Sequence, residues 1–163
     1  MKIVQATKQQ LTLIKNMAAE IWPHNYKNMI SAAQIDYMLK MMYSDTSLLE
    51  QMQKNHIFLL AEENQKYLGF ASYQLHFKNN KETRLHKIYV LPETQGKGVG
   101  KKLLQEVIKI ACEHNDKEIS LTVNRNNEAQ HFYKKLGFVI TDSVDMQIGG
   151  GFYMNDYIMK KPI

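Results

Sequence analysis

A single cysteine, Cys112, in 163 residues excludes an internal disulfide framework and points to a reducing compartment. Only two arginines are present, Arg84 and Arg125, and the lysines behind the net charge of +5 are spread along the chain. A dedicated nucleic-acid binder clusters arginine with exposed aromatics, so no nucleic-acid partner is expected. No apolar run approaches the roughly 18 residues of a membrane helix, and the N-terminal segment lacks a secretory apolar core; neither membrane insertion nor export is expected, and the cytosol is the expected location. His24, His56, His76, His114 and His131 show no metal-ligand spacing, so no metal site is expected. Repeats, linkers and low-complexity stretches are also missing. With 44% apolar residues, residues 1–163 are expected to form one ordinary globular domain.

What is present is concentrated in residues 88–104, where an apolar strand breaks at Pro92 into a glycine-rich turn and then a basic, amphipathic helix. Gly96, Gly98 and Gly100 let the backbone approach a ligand, and the unpaired amides of a helix start, with the positive end of the helix dipole behind them, attract an anion. Residues 84–102 carry Arg84, Lys87, Lys97, Lys101 and Lys102 against Glu93 alone, which suits a multiply phosphorylated ligand. For any one of these lysines, a solvated helix face is an equal alternative.

Two common phosphate loops fail on spacing. Gly100 is followed by Lys101 and Lys102 rather than Lys-Ser/Thr, which leaves no hydroxyl for magnesium, and the glycines alternate at 96, 98 and 100 instead of following Gly-x-Gly-x-x-Gly. Gln95-x-x-Gly98-x-Gly100 instead resembles the Gln/Arg-x-x-Gly-x-Gly/Ala signature of the GNAT superfamily of N-acetyltransferases. Residues 121–138, Leu-Thr-Val-Asn-Arg-Asn-Asn-Glu-Ala-Gln-His-Phe-Tyr-Lys-Lys-Leu-Gly-Phe, are similar to that family's Asn-x-x-Ala-x-x-Phe-Tyr-x-x-Leu-Gly-Phe segment, in the same order and at the same separation. The resemblance runs from the strand near residue 70 to the C-terminal Gly-Gly-Gly-Phe-Tyr-Met, and residues 21–60 loosely resemble the helical layout of polyamine-acetylating members.

Periodicity predicts a strand over Met1–Ala6 and a helix over Lys8–Ile21 stopped by Pro23. Further helices are predicted over Ser31–Tyr43, capped by Ser31, and Ser47–Gln53. Strands His56–Glu63 and Tyr67–Phe77 flank a hairpin turn, and Thr83–Leu91 leads to the glycine turn. The next helix ends near Asn115 with Val99, Leu103, Leu104, Val107, Ile108, Ala111 and Cys112 on its apolar stripe, which makes Cys112 a buried structural thiol rather than a nucleophile. A strand over Glu118–Asn124, a helix over Asn126–Leu136 stopped by Gly137, and strands Phe138–Ile148 and Phe152–Lys160 complete the chain. Strand, helix, strand implies a right-handed parallel crossover. The expected fold is α/β: a GNAT-like, mostly antiparallel seven-stranded sheet with a central splayed parallel pair, Leu85–Leu91 and Ile119–Asn124, and helices on both faces.

The resemblance implies acetyl-coenzyme A as acetyl donor, its pyrophosphate on the turn formed by Gln95, Gly96, Lys97, Gly98, Val99, Gly100 and Lys101. It implies a pantetheine arm between the splayed strands, held by Ile88, Tyr89 and Val90, with Asn126 and Ala129 contacting the cofactor. Backbone amides there would hold the acetyl carbonyl, an effect worth about 3–4 kcal/mol per donor in acyl transfer. Tyr133 matches the tyrosine that protonates the departing thiolate; from periodicity alone, with Ala129, Phe132 and Leu136, it is a core residue. Asn126 is also an ordinary helix cap. A base must neutralise the acceptor ammonium, and His86 first and Glu82 second, which share a strand face with Arg84, are the candidates, acting directly or through a water chain; the alternatives are that His86 is only a hydrogen-bonded strand histidine and Glu82 only a solvated turn glutamate.

The acceptor is expected to be a primary amine, first a small molecule such as a polyamine and second a peptide or protein amine. Trp22, Tyr26, Tyr37 and Tyr43 form either a pocket or core, while Glu20, Asp36, Asp45, Glu50 and Asp145 are sources of attraction for a cation. The Gly149–Gly151 turn permits close approach of a substrate or a partner subunit in a homodimer. A catalytically silent acyl-coenzyme A sensor is the alternative reading; it would keep the turn without needing Tyr133 or a base.

Overall fold

The computed structural model describes residues 1–163. The chain runs β1 (Lys2–Gln5), α1 (Leu11–Tyr26), α2 (Ala32–Tyr43), α3 (Asp45–Gln53), β2 (Ile57–Glu63), β3 (Lys66–Gln74), β4 (Glu82–Val90), α4 (Val99–Glu113), β5 (Glu118–Asn124), α5 (Ala129–Lys135), β6 (Val139–Gly149) and β7 (Phe152–Pro162). The strands form one seven-stranded sheet in the order β1-β2-β3-β4-β5-β7-β6. Only β4 and β5 run parallel, with α4 as the crossover between them. No helix is long and apolar enough to cross a membrane.

Strand alternation sends neighbouring side chains to two separate cores. Phe58, Leu60 and Phe70 pack under α1–α3 with Ile14, Ile21, Trp22 and Tyr43. Leu59, Leu85, Ile119 and Leu121 pack under α4 and α5 with Leu103, Val107, Tyr133 and Phe138. The sheet is therefore a partition with helices on both faces, and anything passing through it must do so where two strands part.

Several boundaries differ from the sequence prediction, each for a tertiary or local reason. Pro23 does not stop α1, which continues to Tyr26. Proline cannot donate to the carbonyl four residues back, a cost of about 3 kcal/mol, but burial of Trp22 and Tyr26 holds the last turn, and the Lys27 N–H still reaches the Pro23 carbonyl at 3.2 Å. Ser31 caps α2 as expected, its Oγ accepting from the Gln34 N–H at 3.1 Å. Ser44 performs the same service for α3, which therefore begins at Asp45 rather than Ser47. The hairpin between β2 and β3 narrows to Asn64 and Gln65, both left-handed. β3 ends at Gln74, before left-handed His76, Lys78 and Asn79.

Cys112 is exposed, contrary to expectation. The buried stripe of α4 is Val99, Leu103, Leu104, Val107 and Ala111, and Cys112 lies on the outer side of Ala111. α5 begins three residues later than expected, at Ala129. Asn126 is not its cap: the Ala129 N–H is accepted by the Asn127 side chain at 2.9 Å, while the Asn126 N–H is bound by the Asn124 side chain at 2.9 Å.

Candidate active site

The parallel ladder between β4 and β5 is short. It pairs Glu82 with Glu118 through to Leu85 with Leu121 and then stops, although β4 continues to Val90 and β5 to Asn124. A bulge explains the parting. Ser72 of β3 lies opposite Lys87, and its neighbour Tyr73 lies opposite Leu85, so His86 is an extra residue in β4. A bulge bends its strand, and this one sits where pairing with β5 ends. Beyond it, β4 stays bonded to β3 and β5 stays bonded to β7, so the edge of Ile88–Val90 that faces β5 has no strand to pair with. Gly69 of β3 permits tight packing here, since a Cβ on it would lie 2.6 Å from the Tyr89 carbonyl oxygen.

The glycine turn follows directly. Pro92–Thr94 form one tight helical turn, and Thr94, buried, ties it to the sheet by donating to the carbonyls of Leu68 at 3.0 Å and Leu91 at 2.9 Å. Gly96 and Gly98 are both left-handed at φ 78°, and a Cβ at either would find nothing within 4 Å, so the space above the turn is open. Gly98 precedes the first residue of α4, and no side chain caps this helix. Its first amides therefore point into that space, with the exposed Lys97, Lys101 and Lys102 around it. Gln95 donates to the Asn25 side chain of α1 at 3.1 Å.

Two residues counted in the positive stretch belong elsewhere. The Arg84 Nε–H donates to the Ser120 hydroxyl at 2.8 Å, and Lys87 is buried, donating to the Gln51 side chain at 2.5 Å. Burial pushes the Lys87 ammonium down to about 8.

Tyr133 of α5 is buried in the core under α4, close enough to Tyr26 and Tyr89 for their charges to interact. Its ring packs between Phe132 and Phe138, and Phe132 also lies against Gly100, so α5 and the start of α4 adjoin. Burial pushes the Tyr133 phenol well above its ordinary value, which keeps it protonated at neutral pH, and its hydroxyl makes no hydrogen bond to the protein. From α1, Tyr26 meets Tyr89 of β4 with the two hydroxyls 3.0 Å apart. Burial pushes Tyr26 up to about 12 although its hydrogen bond with Tyr89 favours ionisation, and the Tyr26 phenol lies close enough to disfavour ionisation of both Tyr89 and Tyr133.

Of the two base candidates, only His86 borders the gap, at the bulge. Glu82 lies at the paired end of β4, six residues before Ile88, about 20 Å along the strand. It accepts from the Ser120 hydroxyl and from Lys160 at 3.2 Å, with Arg84 3.6 Å away. Burial favours its protonation, but those hydrogen bonds and charges outweigh it and hold the carboxyl below its usual value. His86 does share a face with Arg84, the imidazole of one and the guanidinium of the other both packing on Phe77. It is stacked 4.0 Å from His56, and its Nε2 lies 3.2 Å from the Gln74 side-chain oxygen. Burial, then the neighbouring His56 and Lys87, push His86 down to about 3, which leaves a neutral ring with little affinity for a proton.

The acceptor-side residues divide in the same way. Trp22 and Tyr43 are core, joined by a hydrogen bond of 3.2 Å. Tyr37 donates to the Ile148 carbonyl at 2.6 Å and packs on Phe152, so α2 fills the space beside Gly149 and Gly150, while that beside Gly151 is open. Asp36, Asp45 and Asp145 are paired with Lys40, Lys15 and Arg125. Glu20 and Glu50 are exposed. One acidic residue at the gap escaped the sequence reading: Asp156, buried on β7 directly opposite Asn124. Its signal was a lone charge inside the apolar run Phe152–Met159.

A parallel pair that parts beside an uncapped, glycine-opened helix defines an acetyltransferase of the GNAT type, and this chain belongs to that family: the Acetyltransferase (GNAT) domain model matches residues 26–160. The chain is 28% identical to a spermidine N(1)-acetyltransferase of Thermoplasma acidophilum, over 94% of this chain and 91% of that protein. It superposes with a TM-score of 0.84, at 27% identity over 99% of this chain and 98% of the other, on a PaiA N-acetyltransferase of Thermoplasma acidophilum crystallised with coenzyme A. It is 35% identical to the L-amino acid N-acyltransferase MnaT of Escherichia coli, a match that spans 58% of this chain and only 56% of that protein.

Proposed function

We propose that this protein transfers the acetyl group of acetyl-coenzyme A directly to a primary amine within a ternary complex, with a polyamine such as spermidine as the preferred class of acceptor. The observation that carries the reading is the unpaired edge of Ile88–Val90 beside the uncapped start of α4, with the buried Tyr133 phenol within the field of Tyr26 and Tyr89. The amides of Gly98 to Lys101, with Lys97, Lys101 and Lys102, neutralise a pyrophosphate. The β4 edge binds an extended arm as a missing strand would, as far as Asn126 and Ala129 on the facing side. Edge amides near Ile88 polarise the acetyl carbonyl, and Tyr133 donates its proton to the departing thiolate. Acetyl-coenzyme A supplies the activated thioester; no acyl-enzyme is needed, and the exposed Cys112 has no part in the chemistry.

The preference for a polyamine rests on the near full-length likeness to the Thermoplasma spermidine N(1)-acetyltransferase. Acetyl-coenzyme A-dependent release of thiol across polyamines, amino acids, aminoglycosides and short peptides, beside calorimetry with coenzyme A, tests the reading. Turnover with spermidine is the expected result. Turnover only with peptides or amino acids would move the acceptor class, and tight coenzyme A binding without turnover would favour a sensor.

A further inference from the structure

Asp156 is a buried carboxylate that no protein group satisfies. It is 5% exposed, lies opposite Asn124 of β5 on one side and Val144 of β6 on the other, and accepts no hydrogen bond. The adjacent β5–β7 pairs, Leu121 with Met159 and Val123 with Tyr157, face the core under α4 and α5. Alternation therefore turns Asp156 to the opposite face, where α1 brings the Tyr26 phenol within its field. The cation whose charge acts on it, Arg125, is committed elsewhere. Arg125 donates to the Val144 carbonyl at 3.0 Å and pairs with the exposed Asp145, while its own Nε is buried without a partner. Desolvating a carboxylate without a partner costs several kcal/mol, so a fold keeps one chiefly where something else completes it. The open end of the β4–β5 gap lies beside it, and Tyr133 is on the far side of the sheet.

Resting on the acetyltransferase reading, we propose that Asp156 receives the acceptor: it docks the substrate ammonium at the open end of the gap and takes its proton, so that the neutral amine attacks from the α1 side. The C–N bond then forms as the C–S bond breaks. Tyr133 gives its proton to the thiolate and regains one from the acetylated nitrogen, and Asp156 returns its proton to water. Facing Asp156 are Tyr26 from α1 and Arg125 from the β5–α5 turn, with Asp145 beyond it on β6. Burial, partly offset by Arg125, pushes Asp156 up to about 6, a value suited to accepting a proton at neutral pH.

The test uses the full chain and its Asp156→Asn and Asp156→Glu variants. Calorimetry follows coenzyme A binding, then spermidine binding to the coenzyme A complex, and kcat/KM is measured from pH 5 to 9. Asp156→Asn is expected to bind coenzyme A within about twofold of wild type, lose at least about tenfold in spermidine affinity, and lose the acidic limb of the profile, with partial rescue by Asp156→Glu. Unchanged spermidine affinity and an unchanged acidic limb in Asp156→Asn would overturn the assignment. So would a wild type that binds coenzyme A but not spermidine. A wild type that fails to bind coenzyme A would instead overturn the acetyltransferase reading beneath it.

Discussion

The two halves of β4 meet their surroundings in opposite ways. From Glu82 to Leu85 the strand is paired with β5, and at Arg84 and Leu85 with β3 as well, and its charges are matched: Glu82 with Ser120, Lys160 and Arg84. From His86 to Val90 one edge is bare, and the polar groups around it, the Tyr133 hydroxyl and the Asp156 carboxylate, have no hydrogen-bond partner in the protein. A satisfied network stabilises a fold; an unsatisfied one, kept at a cost, is what a ligand completes. The bulge at His86 is the boundary between the two.

The sharpest way to break this contrast is at the turn serving the open half. Valine at Gly98 would have to adopt a left-handed conformation, costing about 1–2 kcal/mol, and would cover the amides of α4. Gly98→Val is expected to abolish coenzyme A binding in calorimetry while the protein remains folded by circular dichroism. Tyr133→Phe is expected to lower kcat by about 10²- to 10⁴-fold with coenzyme A affinity nearly unchanged, and unchanged turnover would remove it from the acid role.

At the closed half the effect should move from activity to stability. Glu82→Ala strands Lys160, Ser120 and Arg84 and is expected to cost about 2–3 kcal/mol in urea unfolding, with coenzyme A affinity within about twofold of wild type. A large loss of turnover per folded molecule would place Glu82 in the chemistry after all.

The histidine pair at the boundary gives a pH signature. Burial lowers His56 to about 4 and His86 to about 3, so both bind a proton more readily unfolded than folded. Their contribution to stability is complete above the unfolded value of about 6.5 and is lost as pH falls toward 4 and below. Melting temperatures should drop across that window, and a His56→Asn/His86→Gln variant should flatten the drop. Asp156 works in the other direction, because its raised value means stability lost as pH rises through about 6. The smallest effect is expected at Cys112: serine on that exposed site should change stability by no more than about 0.5 kcal/mol.

How much of this was legible in the sequence follows from whether the cause is local. The glycine turn, its uncapped helix and the parallel crossover are written in contiguous residues, and all appear at the expected place. Ser31 as a cap is equally local. The continuation of α1 past Pro23 depends on what Trp22 and Tyr26 bury against, which lies in distant strands. The bulge at His86 is a matter of register between β3 and β4, and no pattern within 82–91 reveals it. Asp156 sits two residues past Met154 and three before Met159, in a stretch read as one more apolar strand; only the pairing with Asn124 brings it to the gap. The charges of Arg84 and Lys87 were legible, but not that they face Ser120 and Gln51 rather than the turn.

Backbone hydrogen exchange with and without coenzyme A tests the central claim most directly, because it reads both halves of β4 in one experiment. Protection gained over Ile88–Val90 and Gln95–Lys101, with Glu82–Leu85 unchanged, is the predicted result. No added protection on the splayed half, or protection gained equally along the whole of β4, would contradict it.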